Sequence, residues 1–192
     1  MNKNKLRVGF AITGSYCTLN KAIKMLEALV EAGYDVTPIL SEAVATVDTR
    51  FYKAADLIAD IKKVTGKTPL CKITDTEPIG PKKLLDILIV APATGNTLAK
   101  ITYGITDTSV TMAVKAHLRN ALPVVIGVST NDGLGNNAKN IGYLLNSKRI
   151  YFIPFGEDDS TNKPTSLIAD FNKLIPTIEK AIIGEQLQPL LI

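Results

Sequence analysis

The sequence predicts an α/β protein: a doubly wound parallel sheet of six strands, with helices packed on both faces. Three observations carry this. Apolar, β-branched runs recur without polar alternation, as strands buried on both faces require. Segments of helical periodicity separate them. Small polar residues gather where the strands end, in four loops at 13–18, 41–50, 92–97 and 129–137. In open sheets of this kind, ligands bind at the carboxyl ends of the strands.

The chain has 192 residues, 46% of them hydrophobic, enough for one domain with a full core, and 1–192 reads as a single unit. The formal net charge of +4 is modest. Its basic pairs, Lys62-Lys63, Lys82-Lys83 and Lys148-Arg149, are scattered without interleaved aromatics, which argues against a nucleic-acid groove. A small anionic ligand suits the charge equally well. No apolar run approaches a membrane span, and Arg7 leaves the first apolar piece too short for a signal peptide. The expected location is cytoplasmic. Cys17 and Cys71 need no bridge in a reducing compartment, and two cysteines with one histidine do not make a usual zinc site, so no metal is expected.

Leu6 to Ile12 is the first strand, and Thr13-Gly14-Ser15 is the turn after it. A helix follows over Leu19 to Ala32, with Gly33 just past its end. The turn offers N–H groups and hydroxyls at one spot before a helix N-terminus, which suits an anion or an ordinary cap. Neither GxGxxG nor a P-loop is present. Cys17 reads as a packing residue, because no base adjoins it in sequence. Tyr34 to Leu40 is the second strand, and Ser41 at its end is either a helix cap or a second contact to that anion. Arg50 precedes a helix over Tyr52 to Val64, closed by Gly66. It is either a fork for a carboxylate or half of a surface ion pair. Thr68 to Ile73 is a short third strand, followed by a Pro/Gly-rich loop at 76–82.

Ile87 to Ala91 is the central strand, and Pro92, having no N–H, is expected to end it. Thr94, Gly95, Asn96 and Thr97 follow, then helical patterns over Leu98 to Tyr103 and Ser109 to Leu118. Pro123 to Val128 is the fifth strand, and the polar loop after it opens with Ser129, Thr130 and Asn131. A helix over Ala138 to Leu145 leads to the sixth strand, Ile150 to Ile153. Phe155 to Ser160 reads as an acidic loop, and Leu167 to Ile183 as a last helix kinked at Pro176. The apolar tail, 184–192, is expected to dock on a neighbouring copy.

The stretch APATGNTLAKITYGITD resembles the PASANT-type motif of the flavoproteins that include the homo-oligomeric flavin-containing cysteine decarboxylases. The turn ITGSYCT resembles their phosphate-binding loop. The resemblance implies a three-layer, Rossmann/flavodoxin-like fold with strand order 3-2-1-4-5-6, assembly as trimers or multiples of them, and bound FMN. It implies FMN phosphate near Thr13, Gly14, Ser15 and Ser41. Thr94, Gly95, Asn96 and Thr97 would line the cofactor and substrate pocket, together with Ser129, Thr130 and Asn131.

Within that family, GSYCT, DTRF, PIGPKKLLD, IVAPATGN, STNDGLG and FIPFGEDD with KPTS resemble a subgroup from endospore-forming bacteria over nearly the whole chain. That likeness implies a subunit that works with a partner carrying an NAD(P) domain. Together they would oxidise dihydrodipicolinate to pyridine-2,6-dicarboxylate in the mother cell. From the residues themselves, Arg50 and Lys82 are candidates to hold the two carboxylates, with solvated surface charge as the alternative at each, and Asp107 is also placed at the substrate. Two departures stand out. The decarboxylases place a catalytic histidine after the second strand, where this chain has SEAVATVDTRFYKAAD, and STNDGLGNN replaces their PMN-type motif. The alternatives are an FMN-dependent decarboxylase and a non-catalytic FMN- or phosphate-binding subunit.

Overall fold

A computed structural model describes residues 5–192, so the first four residues of the predicted domain lie outside the described residues. The apolar run Val8, Phe10, Ala11 and Ile12 is buried on both sides in β1 (Arg7–Ile12). This strand pairs in parallel with β2 (Asp35–Leu40) on one side and with β3 (Ile87–Ala93) on the other. β3 pairs in parallel with β4 (Val124–Thr130), which pairs in parallel with β5 (Ile150–Phe152). Helix α1 (Leu19–Glu31) buries Ala22, Met25, Leu26 and Leu29 along one face. The chain leaves it through Gly33 at φ +88°, a left-handed conformation that costs glycine little. After the short α2 (Glu42–Thr46), α3 (Ala54–Thr65) packs beside α1 and ends in the same way at Gly66. A one-turn α4 (Ile73–Thr76) follows. Helix α5 (Gly95–Thr102) packs against both α6 (Ser109–Leu118) and α7 (Ala138–Leu145); α5 and α6 lie on the central strands and α7 on β5.

The sheet is mixed, not fully parallel. Where an acidic loop and the start of a long helix are expected, the chain forms a hairpin, β6 (Phe155–Asp159) and β7 (Lys163–Ala169). β4 divides its pairing. Val124 to Ile126 face β5 in parallel, and Ser129 and Thr130 face β7 in antiparallel. The sheet order is β2-β1-β3-β4-β7-β6, with β5 beside the first half of β4. The predicted third strand shrinks to one bridge. Leu70 donates to Pro38 O and accepts from Leu40 N, but Pro69 has no N–H and the chain enters α4 at Ile73. Its place beside β2 agrees with the expected order; its length does not.

Pro92 does not end β3. The pairing with β4 shifts register between Val90 and Ala93, and such an irregularity tolerates a residue without an N–H. Pro176 kinks nothing, because α8 (Leu174–Ile182) starts only two residues before it. In a first turn the missing N–H has no intrahelical role. The tail lies on its own chain. Gln186 pairs its side chain with both backbone polar groups of Phe152, at 2.8 and 2.7 Å. Phe155 N donates to Leu190 O at 3.0 Å, and Ile192 N to Phe155 O at 3.2 Å.

Candidate functional site

Parallel pairing brings the ends of β1, β3 and β4 to one edge, and two adjoining clefts open there. Gly14 and Thr94 line both and form the ridge between them.

The larger cleft, about 720 Å³, gathers Gly14, Ser15, Arg50, Thr94, Ser129, Thr130 and Asn131 of the predicted residues. Ser15 does not cap the helix. Its Oγ lies 2.8 Å from Ser129 Oγ, tying the turn after β1 to the end of β4. The Arg50 guanidinium stacks over the Phe51 ring at 4.7 Å and has no acidic partner among the described residues. Stacking orients the fork without using its donors, so the surface-pair alternative is not realised.

The smaller cleft, about 590 Å³, gathers Thr13, Ser41, Asn96, Thr97 and Asp107. Thr94 caps α5 by accepting from Thr97 N at 3.4 Å. Ser41 precedes α2 but makes no cap bond, and its Oγ is shielded from solvent with no partner among the described residues. Asp107 pairs with Lys100 at 2.8 Å, which holds its carboxyl below the usual range. It therefore stands apart from Arg50, in the other cleft.

Gly95 is required by close approach. A Cβ there would lie 2.3 Å from Asn137 Nδ2, 2.8 Å from Thr130 Oγ1 and 2.9 Å from Asp132 Oδ1. These atoms form one network. Asp132 accepts from Thr130 Oγ1 at 2.7 Å and from Asn137 Nδ2 at 2.9 and 2.8 Å.

Lys82 lines neither cleft. It sits in the turn ahead of β3, at the amino end of that strand, where Gly80 packs on the backbone of Ala116. Cys17 is not a packing residue either; it is exposed and lines the larger cleft. His117 lines neither cleft. It is buried in the last turn of α6, and its Nε2 donates to Pro123 O at 3.1 Å. Burial pushes its pKa down to about 4, against the smaller opposing effects of that carbonyl and of Asp86.

Several lining residues were not singled out from the sequence: Lys21, Asp132, Asp158, Lys163 and Ser166. Asp132 falls inside a predicted polar loop, so a signal existed. The last three arrive only with the β6–β7 hairpin, which the sequence does not announce. Among the described residues no group of His, Cys, Asp and Glu could hold a metal ion, and no helix is long and apolar enough to cross a membrane.

The flavoprotein family matches residues 1–170, and the chain belongs to that family. Within it, the chain is closely related to the B subunit of dipicolinate synthase. It is 44% identical to that protein from Bacillus subtilis (strain 168) over 186 residues, covering 97% of this chain and 93% of the relative. It also superposes on the crystal structure of the dipicolinate synthase B subunit from Bacillus halodurans C with a TM-score of 0.91 and 46% identity, covering 100% and 98% of the two chains. The FMN-dependent cysteine decarboxylase SpaF shares the fold, with a TM-score of 0.65 at 22% identity over 93% of this chain and 95% of the other.

Proposed function

We propose that the chain acts as the B subunit of a two-subunit dipicolinate synthase in the mother-cell cytoplasm of a sporulating bacterium. Its partner is the A subunit of dipicolinate synthase, which carries the NAD(P) domain. The substrate, dihydrodipicolinate, is a cyclic dicarboxylic imine. Losing a hydride and a proton makes it aromatic, so the protein has mainly to orient it against a hydride acceptor. The observation that carries this reading is the larger cleft. Arg50 stands there stacked on Phe51, without an acidic partner among the described residues, in a cleft that hydroxyls also line. A planar guanidinium fork matches a carboxylate.

FMN is the cofactor implied by the family. The smaller cleft fits its phosphate chemically: Ser41 Oγ is a buried hydroxyl with no partner among the described residues, and the N-terminus of α5 lies beside it. Thr13, Gly14, Ser41 and Thr97 would hold that group. When bound, FMN supplies a two-electron acceptor. The protein's own part is to hold the substrate carboxylate at Arg50 and to keep the wall of Gly95, Thr130 and Asp132 in place.

A second reading, a binding subunit that does no chemistry itself, is favoured by one observation. Both carboxylates of the larger cleft are engaged, Asp132 by Thr130 and Asn137, Asp158 by Lys163. An FMN-dependent decarboxylase has less support, because the one histidine is buried against Pro123. An absorbance spectrum of the purified chain with and without added FMN tests the cofactor. Turnover of dihydrodipicolinate by the chain alone, the partner alone and the mixture tests the rest. Synthesis only in the mixture is expected, and equal turnover by the partner alone would favour the binding-subunit reading.

A further inference from the structure

The β6–β7 hairpin has one evident role in the site: it walls the larger cleft. β7 joins β4 at Ser129 and Thr130, the residues at the cleft floor, and the hairpin then carries Asp158, Lys163 and Ser166 along one side. Lys163 Nζ lies 2.9 Å from Asp158 Oδ2, and Asp158 also accepts from Ser166 Oγ at 3.3 Å. An ammonium has three donors, so one bond to Asp158 holds Lys163 in position and leaves the others for a ligand. Arg50 reaches the same cleft from the loop between α2 and α3, at the β2 end of the sheet order, with the Gly14–Thr18 turn also lining the cleft.

The charge of the cleft decides what it takes. Three cationic side chains line it from three elements: Lys21 from α1, Arg50 from its loop and Lys163 from the hairpin. Its two acids, Asp132 and Asp158, already hold hydrogen bonds inside the protein, and three cations against two carboxylates leave the cleft net positive. Lys21 has no side-chain partner that fixes it among the described residues, whereas Lys163 is pre-positioned and loses less freedom on binding.

We propose that Lys163 is the second anchor of a small dicarboxylate whose first carboxylate is held by Arg50. This rests on the substrate reading given above and names the hairpin as what selects two carboxylates over one. It also moves the second anchor from Lys82, at the other edge of the sheet, into the cleft itself.

Titration calorimetry of the full chain with pyridine-2,6-dicarboxylate and with pyridine-2-carboxylate tests it. Wild type should bind the dicarboxylate roughly tenfold or more tightly than the monocarboxylate, the worth of one charge-assisted contact. Lys163→Met should remove that preference and leave monocarboxylate binding unchanged; Lys163→Arg should restore part of it. Lys163 is exposed at a strand start, so thermal midpoints of both variants should match wild type. If Lys163→Met keeps the wild-type preference, or if Lys21→Met abolishes it instead, Lys163 is not the anchor while the substrate reading stands. If wild type binds neither pyridine carboxylate, the substrate reading itself fails and this inference with it.

Discussion

Thr13 Oγ1 accepts the N–H of Thr94 at 3.0 Å and donates to Pro92 O at 2.7 Å, joining positions 81 and 79 residues apart. One buried hydroxyl thus stitches the end of β1 to the end of β3, beside a proline that has no N–H to offer. Thr13→Val keeps the shape, leaves the Thr94 N–H without its partner and leaves Pro92 O with only the longer bond from Thr13 N, at 3.3 Å. It should cost about 1–3 kcal/mol of stability, the penalty for stranded buried polar groups. Urea unfolding checks this, and a change within measurement error would show that Thr94 is held by other means.

Arg50→Ala and Arg50→Lys should both weaken the apparent affinity for dihydrodipicolinate in the mixed complex. Loss of a charged hydrogen-bonded contact amounts to about 1.5–3 kcal/mol. Lysine should recover part of the charge but not the fork. Wild-type affinity and turnover in both variants would place Arg50 outside the substrate's reach.

Gly95→Ala drives a methyl group into Asn137, Thr130 and Asp132 together. Overpacking of this kind costs about 1–3 kcal/mol. The thermal midpoint should fall, and ligand binding in the larger cleft should weaken with it, because Asp132 and Thr130 line that wall. An unchanged midpoint would mean that the loop after β4 yields freely.

His117 makes stability depend on pH. Its folded pKa, about 4, lies below the roughly 6.5 of an unfolded histidine. Between those values the unfolded chain binds the extra proton, so this contribution is full above about pH 6.5 and shrinks as pH falls toward 4. The whole window corresponds to roughly 3 kcal/mol. Urea midpoints at pH 7 and pH 4.5 should fall further for wild type than for His117→Gln. Parallel losses in the two proteins would refute the assignment.

The parallel body of the sheet was legible because Val8 to Ile12, Ile87 to Ala91 and Val124 to Val128 are apolar on both faces, and a strand covered by helices must be. Gly33 and Gly66 announced two helix ends by needing positive φ. The hairpin was hidden for the opposite reason. Its tip half, Glu157, Asp158 and Lys163 to Thr165, is polar or proline and exposed, and what makes it a strand pair is long-range contact with β4 and the tail, which no local pattern records. The site divided along the same line. Ser15, Thr94, Ser129 and Thr130 sit at the ends of legible strands and converge as expected. Lys82 lines neither cleft: its charge is visible in sequence, but the edge of the sheet it faces is not.

The side chain of Gln186 imitates a neighbouring strand. By giving Phe152 both a donor and an acceptor, it leaves the outer side of β5 with nothing to offer another backbone there. Leu190 to Ile192 do the same for the start of β6, and Leu70 does so for the end of β2. The sheet is therefore sealed against growth at each of these borders. A fibre built by adding strand to strand is closed to copies of this chain at these borders, as a wall already faced with stone takes no further course there.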